Sequence, residues 1–339
     1  MMRKATLALA IAFLFGCDPG SVMTGSGGAG GGSGGAGGGS GGSGGSGGGS
    51  GGSGGSGGQT GNQLAGTIGA NQTISGDATL ADNATIATGV TLTFAAGSTL
   101  HAAQGKSLTV QGTLAVEGTS AAPVTFQGQA HAAAGEWAGI SISAGGTANI
   151  SWLNMHNAGT ALTIGGNSHY TIDHITVDTM SSSASVGGDG TISHGAFHGD
   201  DAHTPAFLVN NASPHVTDSI FDHGSQGSDY IIVGGTGSAP VFDHVEVAHS
   251  HCAFHANQGN VTISNSYVHD NAYAEMLESS MTTWQNSNLQ NNGINIGDCF
   301  GGTATVTGCY AQGTLFSGTT CGSSSGMAGA PLSGVGPRP

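Results

Sequence analysis

Large apolar residues recur at nearly even intervals through the second half of the chain, and this periodicity constrains the fold more than any other feature. The interval is shortest over 172–192 and longest over 216–242, and the segments between the apolar residues read as short strands separated by Gly, Asn, Asp and Ser. A short, even repeat with strand patterning is typical of one coil of a solenoid. We therefore predict an all-β, parallel β-helix. The anchors are Ile150, Ile172, Ile192, Val216, Phe242, Ile263, Trp284 and Val306.

The residues that follow each anchor alternate between apolar and polar side chains. Positions three and five after the anchor are mostly apolar or small, as in Ile175 and Val177 after Ile172, and the positions between them are polar. This alternation indicates strands with one buried and one solvated face. If the coils stack in register, residues far apart along the chain become neighbours about 5 Å apart.

Shorter coils precede this regular stack, built on residues 91–94, 107–110, 113–116 and 123–126. The run GVTLTFAAGSTLHAAQGKSLTVQGTLAVEGTSAAPVTFQG, followed by GEWAGISI, resembles the opening coils of bacterial right-handed parallel β-helix proteins of the pectin-lyase-like superfamily. The resemblance implies a right-handed parallel β-helix over residues 63–321. That superfamily contains lyases, hydrolases, adhesins and proteins without known chemistry, so the resemblance leaves the activity open.

The N-terminal segment that ends at Cys17 has the features of an export signal. Arg3 and Lys4 precede an apolar run at residues 5–15, which is too short to span a bilayer, and Cys17 follows. This ending resembles a bacterial lipobox, in which the cysteine becomes the lipidated first residue. We predict a signal peptide at residues 1–16, lipidation of Cys17 and attachment to the membrane through that lipid.

Residues 25–58 are almost entirely Gly and Ser and have no side chains that could bury area. We therefore predict a disordered linker over residues 17–62 and, from composition, a flexible tail over residues 322–339. The chain is expected to be an exported lipoprotein of a Gram-negative-type cell envelope. The outer membrane is favoured, with the solenoid on its periplasmic or its outer side.

Basic side chains are nearly absent from the mature chain. Removal of the signal leaves Lys106 and Arg338 against 19 acidic residues. A chain with this balance repels polyanions and has no basic patch to meet phosphates, so we exclude nucleic acid as a partner. The resemblance argues against lyase activity on the same ground, because lyases of this fold generally use Arg or Lys as the base.

Four cysteines follow Cys17 in a compartment that permits disulfides. The interval from Cys299 to Cys321 equals the interval from Ile150 to Ile172, which is one coil period. Strands in adjacent coils lie within the Cα separation that a disulfide requires. We predict a Cys299–Cys321 bond that stabilises the C-terminal end of the solenoid.

Histidine is unusually abundant, and the predicted register stacks many histidines and aspartates on one outer strip. Three interpretations remain open: a solvated polar face without a ligand, a metal site, and catalysis on a polysaccharide. The strip comprises His156, His174, His194, His198, Asp218, His244 and Asp270. The metal interpretation, with zinc or another divalent metal as cofactor, involves His223, His249, His251, Cys252, His255 and His269.

For catalysis, the predicted register separates Asp178 and Asp222 by two coils, about 9 to 10 Å, which approaches the spacing of an inverting glycosidase. Asp200 and Asp201 lie nearby in the sequence. These are candidate catalytic residues of a glycoside hydrolase. Glu275 falls near an inward position. A buried acid with a raised pKa would be a further catalytic candidate, but we attribute the position to a register offset of one residue.

The outward aromatic residues Trp152, Tyr267 and Tyr310, with Met276, form a candidate stacking surface for sugar rings. Coil lengths vary by only a few residues, so loops long enough to wall a deep cleft are missing. We therefore expect a non-catalytic binding or adhesion protein with a polysaccharide as its favoured ligand. A polysaccharide-cleaving enzyme is the alternative, and a structural spacer of the envelope is a second one.

Overall fold

The computed structural model describes residues 62–199, 207–224, 227–318 and 321–339. Every regular secondary-structure element within these ranges is a β-strand. The described residues contain no helix that is long and apolar enough to cross a membrane. The predicted signal peptide, Cys17 and the Gly/Ser run lie outside the described residues, as do Asp200 and Asp201.

The described residues contain thirty strands. The first fifteen are β1 (Gln63–Ile68), β2 (Gln72–Ile74), β3 (Asp77–Ile86), β4 (Thr91–Ala95), β5 (Thr99–Ala102), β6 (Ser107–Val110), β7 (Thr113–Glu117), β8 (Val124–Gly128), β9 (Gly139–Ile142), β10 (Thr147–His156), β11 (Thr160–Ile164), β12 (His169–Asp178), β13 (Ser182–Val186), β14 (Gly190–His198) and β15 (Phe207–Asn210). The others are β16 (His215–Thr217), β17 (Ile220–Asp222), β18 (Ile231–Gly234), β19 (Val241–Asp243), β20 (Glu246–Ala248), β21 (Cys252–Asn257), β22 (Asn260–Ser264), β23 (Tyr267–His269), β24 (Tyr273–Glu278), β25 (Met281–Gln285), β26 (Asn288–Gln290), β27 (Ile294–Phe300), β28 (Thr303–Thr307), β29 (Tyr310–Ala311) and β30 (Gly322–Ser325).

Successive strands pair in parallel with the strands one coil away and form three sheets, which confirms the predicted parallel β-helix of about 11 coils. The first sheet contains β2, β4, β7, the first halves of β10, β12 and β14, then β16, β19, β22, β25, β28 and β30. The second contains the first halves of β1 and β3, then β5, β8, the second halves of β10, β12 and β14, and β17, β20, β23, β26 and β29. The third contains the ends of β1 and β3, then β6, β9, β11, β13, β15, β18, β21, β24 and β27.

The eight predicted anchors form one continuous column inside the first sheet. Each pairs in register with the next, from Ile150 with Ile172 to Trp284 with Val306. None exposes more than 2% of its surface. Because every coil contributes one buried side chain to the same column, the core is continuous along the stack.

One inward column of the third sheet contains an acid among apolar side chains. Glu275 pairs with Phe254 below and Ile296 above and is fully buried. Its Oε2 accepts hydrogen bonds from Trp284 Nε1 at 2.8 Å and from the Thr282 hydroxyl at 3.1 Å. The attribution of Glu275 to a register offset is therefore wrong. Burial, only partly offset by these two donors, raises the pKa of its carboxyl to about 8.

The predicted disulfide between Cys299 and Cys321 is present, with the two Cα atoms 5.3 Å apart. It joins the end of β27 to the residue that precedes β30. Since β30 extends the first sheet by pairing with β28, the disulfide holds the last coil against the one below.

The C-terminal segment differs from the predicted flexible tail. Residues 322–325 form β30, and the chain then runs back across the coils. The backbone N–H of Ala328 donates to Cys309 O at 2.9 Å, and that of Gly336 donates to Asn265 O at 2.8 Å. The Arg338 guanidinium meets both carboxylate oxygens of Asp218, at 2.6 and 2.8 Å. Composition suggested a loose tail, but these specific hydrogen bonds order it.

Candidate functional site

The predicted strip of histidines and aspartates divides into two ladders along opposite edges of the second sheet. About four strand residues, or roughly 13 Å, separate the two edges. The first corner ladder, between the first and second sheets, comprises Trp152, His174, His194, Asp218, His244, Asn265, Asn286 and Gly308. The second ladder comprises His156, Asp178, His198, Asp222, Ala248 and His269, each followed by a residue of the next corner such as His249 or Asp270.

Backbone conformation accounts for many of the corner histidines. Every member of the first corner ladder has a positive φ, between 47° and 67°. Gly, Asn, Asp and His tolerate this left-handed conformation best among the amino acids. Part of the histidine enrichment therefore reflects the shape of the corner and needs no ligand to explain it.

Trp152 is the exception in this ladder, because it is a bulky aromatic residue with a φ of 51°. Holding such a residue in the left-handed region costs on the order of 1–3 kcal/mol. Strain of this kind clusters at functional sites. The position therefore marks Trp152 as a residue with a role beyond forming the corner.

The three N-terminal rings of the first corner ladder stack on one another. The Trp152 and His174 ring centroids are 3.7 Å apart with an interplanar angle of 18°, and those of His174 and His194 are 4.3 Å apart with an angle of 14°. Asp173 holds both imidazoles, with 3.0 Å to His174 Nδ1 and 2.8 Å to His194 Nδ1. The stack presents a half-buried aromatic column whose lowest ring is Trp152.

An open groove of about 550 Å³ lies beside the base of this column, on the outer face of the first sheet. Gly118 is required there, since a Cβ at this position would lie 2.3 Å from Trp152 O and 3.0 Å from Trp152 Cβ. The coil below Trp152 therefore has no side chain at position 118, and Trp152 directly follows Ser151, which lines the groove. The groove is lined by Ala115, Val116, Glu117, Gly118, Asn149, Ile150, Ser151, Thr171 and Asp173.

The hydrogen-bonding environment of Asp173 recurs around Asp243, whose coil lies two coils above that of His194. Asp173 accepts hydrogen bonds from the Ser193 hydroxyl and from His194, with His174 Nδ1 3.0 Å away, and Asp243 accepts them from Ser264, Asn265 and His244. Burial alone would raise the pKa of Asp173, but these hydrogen bonds outweigh it and hold the pKa below its ordinary value. Both carboxylates are therefore ionised, and their hydrogen bonds stabilise the corner.

The two candidate catalytic aspartates lie in the predicted register, with His198 between them in the column. Asp178 is 2.5 Å from His156 Nδ1, and Asp222 is 2.9 Å from His249 Nδ1. The pKa of Asp222 is lowered, because hydrogen bonds from His249 and the Gly224 backbone outweigh desolvation. A general acid needs a raised pKa, so Asp222 does not suit that role.

The six metal candidates do not all converge on one point. His251, Cys252 and His255 surround Asp229, a residue that the sequence did not single out. His249 instead bonds Asp222, and His269 bonds Asp270 at 2.7 Å and Glu246 at 3.2 Å. His223 is buried beside the Tyr230 ring. The coils on either side of Val216 are the longest in the regular stack and shift the register here, which explains why Asp229 was missed.

The predicted stacking surface is smaller than expected. Met276 is 1% exposed and belongs to the interior, while the Tyr267 ring stacks on His269 with centroids 4.0 Å apart. Tyr310 lies on the outer face of the second sheet, far along the stack from Trp152. Glu117 was also missed, although it occupies the same outward column as Ser151 and Asp173 and could have been found from that register.

Comparison with known proteins identifies no family for this chain. No protein-family model matches it, and no curated protein matches it. The crystal structure of the pectate lyase Pel9A is similar over 72% of this chain and 71% of that chain, with 15% sequence identity and a TM-score of 0.31. A similarity at that level carries no argument about the site, so function has to be argued from the residues themselves.

Proposed function

We propose that this protein is a non-catalytic glycan-binding protein of the cell envelope, and that it takes a neutral oligosaccharide in the groove beside Trp152. The observation that carries this proposal is Trp152 itself. A large aromatic ring occupies a strained left-handed corner where seven other coils use His, Asp, Asn or Gly. The coil below it has only a glycine at position 118.

The chemistry of the groove suits a sugar. An indole face packs against the apolar C–H face of a pyranose, and such aromatic contacts contribute about 0.5–1.5 kcal/mol beyond area burial. Asn149, Ser151 and Thr171 offer donors and acceptors to hydroxyl groups, and Glu117 and Asp173 offer acceptors. The two carboxylates repel uronates, so the expected ligand is neutral or carries an amino group.

The same proposal includes export and anchoring. Lipidation of Cys17 and a Gly/Ser linker would hold the solenoid at the outer membrane while leaving it free to reach glycans. The support for this part is the amino-acid sequence alone. Metabolic labelling with a fatty acid checks it, and label retained by a Cys17→Ser variant would contradict it.

Glycan hydrolysis is a second candidate because Glu117 and Asp173 share one outward column, two coils apart on either side of Ser151. That arrangement gives a separation of about 9 to 10 Å, near the upper end of the range for an inverting pair. Against it, Asp173 is engaged by His174, His194 and Ser193, as Asp243 is engaged elsewhere. Binding therefore accounts better for the groove.

A glycan array probed with the full-length protein tests the proposal. We expect binding to neutral or amino-sugar oligosaccharides and no product release on prolonged incubation. Asn149→Ala should weaken binding roughly 2- to 10-fold through the loss of a hydrogen bond. Asn260→Ala, the matched control on the same sheet outside the groove, should leave binding unchanged. Binding to uronates alone, binding to no glycan, or equal effects of the two variants would contradict the proposal, and released product would favour the hydrolase.

A further inference from the structure

A compact group of metal-ligating side chains lies at the start of the third sheet, away from the groove. Asp229 Oδ1 is 2.9 Å from His251 Nδ1, and Asp229 Oδ2 is 2.8 Å from His255 Nδ1. Cys252 Sγ is 3.4 Å from His251 Nδ1. One ligand atom from each of Asp229, His251 and Cys252 lies within 4.8 Å of the others. Three donor types that suit transition metals therefore meet at one point.

Asp229 and Cys252 are more enclosed than Asp173 in the first corner ladder, while the His251 side chain is 31% exposed, as is that of His194. Cys252 is fully buried, and the side chains of Asp229 and His255 are 22% and 20% exposed. The Asp173 side chain, which also bridges two imidazoles, is 42% exposed and has no sulfur in its cluster. Enclosure favours metal binding because water competes less well for the ligands.

The electrostatic surroundings favour a cation. Lys106 and Arg338 are the only basic Lys or Arg side chains in the described residues, and they pair with Asp82 and Asp218. The Asp229 carboxylate is therefore balanced only by imidazoles, and Glu278 adds a further carboxylate 3.5 Å from His255 Nε2. His251 and His255 each meet a different oxygen of the Asp229 carboxylate, at 2.9 and 2.8 Å.

We propose that Asp229, His251 and Cys252 bind a zinc-type divalent transition metal, with His255 as the residue that positions Asp229. Imidazole nitrogen, carboxylate oxygen and thiolate sulfur are the ligands that zinc prefers, and three protein ligands leave a fourth position open. Bonds of about 2.0–2.3 Å place neighbouring ligand atoms roughly 3.3–3.8 Å apart, so only a small outward shift is needed.

The proton balance of binding follows from the ligands. On metal binding the Cys252 thiol proton is released to solvent. A protonated His251 releases its Nδ1 proton, whereas a neutral His251 transfers that proton to Nε2, so the imidazole binds as a neutral ligand. The hydrogen bond between Nδ1 and Asp229 is replaced by two metal bonds. His255 keeps its hydrogen bond to the second oxygen of Asp229, and Glu278 faces its other nitrogen. This chain of contacts orients the carboxylate toward the metal.

Zinc and cobalt titrations of the chelator-treated full-length protein test the site. We expect one tight zinc site by calorimetry and, with Co²⁺, a thiolate-to-metal charge-transfer absorption. Cys252→Ser should abolish that absorption, and His255→Ala should raise the Kd about 10- to 100-fold. Asp229→Asn should weaken binding strongly, whereas the matched Asp173→Asn, which also removes a carboxylate between two imidazoles, should leave both signals intact.

Two results would overturn the proposal. One is cobalt binding to the wild-type protein without a thiolate absorption, a test that needs no variant to fold. The other is metal binding that Asp173→Asn reduces as much as Asp229→Asn does, which would indicate adventitious binding by surface histidines. Circular dichroism of each metal-free variant checks that the β-helix is intact. The metal titration requires no glycan, so its outcome is independent of the proposed glycan binding.

Discussion

The positive φ at each position of the corner between the first and second sheets favours particular residue types. His174, His194, His244 and Asn265 fit this conformation at little cost, and their φ values lie between 50° and 57°. The histidine-rich strip is therefore partly a consequence of backbone geometry. Trp152 breaks this rule, and residues that break a local rule without structural benefit are expected at functional sites.

A second prediction at the residue scale concerns Glu275, because protonation of its buried carboxyl makes the free energy of unfolding depend on pH. In an unfolded chain its carboxyl titrates near 4.5, whereas burial raises the pKa in the folded protein to about 8. Between these values the folded state holds the extra proton, so the free energy of unfolding falls as pH rises. The loss approaches about 5 kcal/mol by pH 8.

Glu275→Gln should remove this dependence while keeping an oxygen for Trp284 and Thr282. Urea unfolding midpoints measured at pH 5, 7 and 9 should be similar for the two proteins in acid. They should diverge with increasing pH, and the variant should become the more stable protein. Midpoints that change in parallel across this range would show that the buried carboxyl does not control the pH dependence.

At the scale of elements, the C-terminal segment behaves as a strap over the upper part of the first corner ladder. It contacts Cys309, Asn288 and Asn265 in turn and ends with Arg338 on Asp218. The strap thus stops one coil above His194, where the ring stack begins. Its docking rests on a few hydrogen bonds and one exposed ion pair, so it should open independently of the coils beneath it.

Arg338→Gln removes the ion pair and should release the end of the strap. We expect faster amide hydrogen exchange at Leu332 and Gly336, with the exchange of core strands unchanged. Lys106→Gln is a matched control, since Lys106 pairs with Asp82 at the other end of the stack. Equal exchange rates in the wild-type protein and in Arg338→Gln would show that the ion pair does not hold the strap.

The elements differ in how far their sequence predicts them. Most inward positions are apolar, so the anchors could be predicted from their spacing, and the Cys299–Cys321 bond from an interval of one coil. Outward positions carry no such requirement, and coils of unequal length around Val216 shift their register, so the partners of His251 and His255 were not visible. The strap was missed because its order comes from hydrogen bonds across distant coils, which composition does not reveal.

At the scale of the whole molecule, the groove exists only because coils stack in register. Glu117 and Gly118 come from one coil, Asn149 and Ser151 from the next, and Thr171 and Asp173 from a third. No short sequence motif contains the site. A solenoid therefore builds a binding surface from residues that are far apart along the chain.

Titration of an oligosaccharide identified on the array into the wild-type protein and into Trp152→Asn is the most direct test of the proposed site. Asparagine tolerates the left-handed corner, so the relief of about 1–3 kcal/mol of strain should offset the lost ring contact and keep the thermal unfolding temperature nearly constant. We predict a Kd at least about 10-fold weaker for the folded variant. An unchanged Kd in a variant that unfolds at the same temperature would contradict the assignment of Trp152 and its groove to glycan binding.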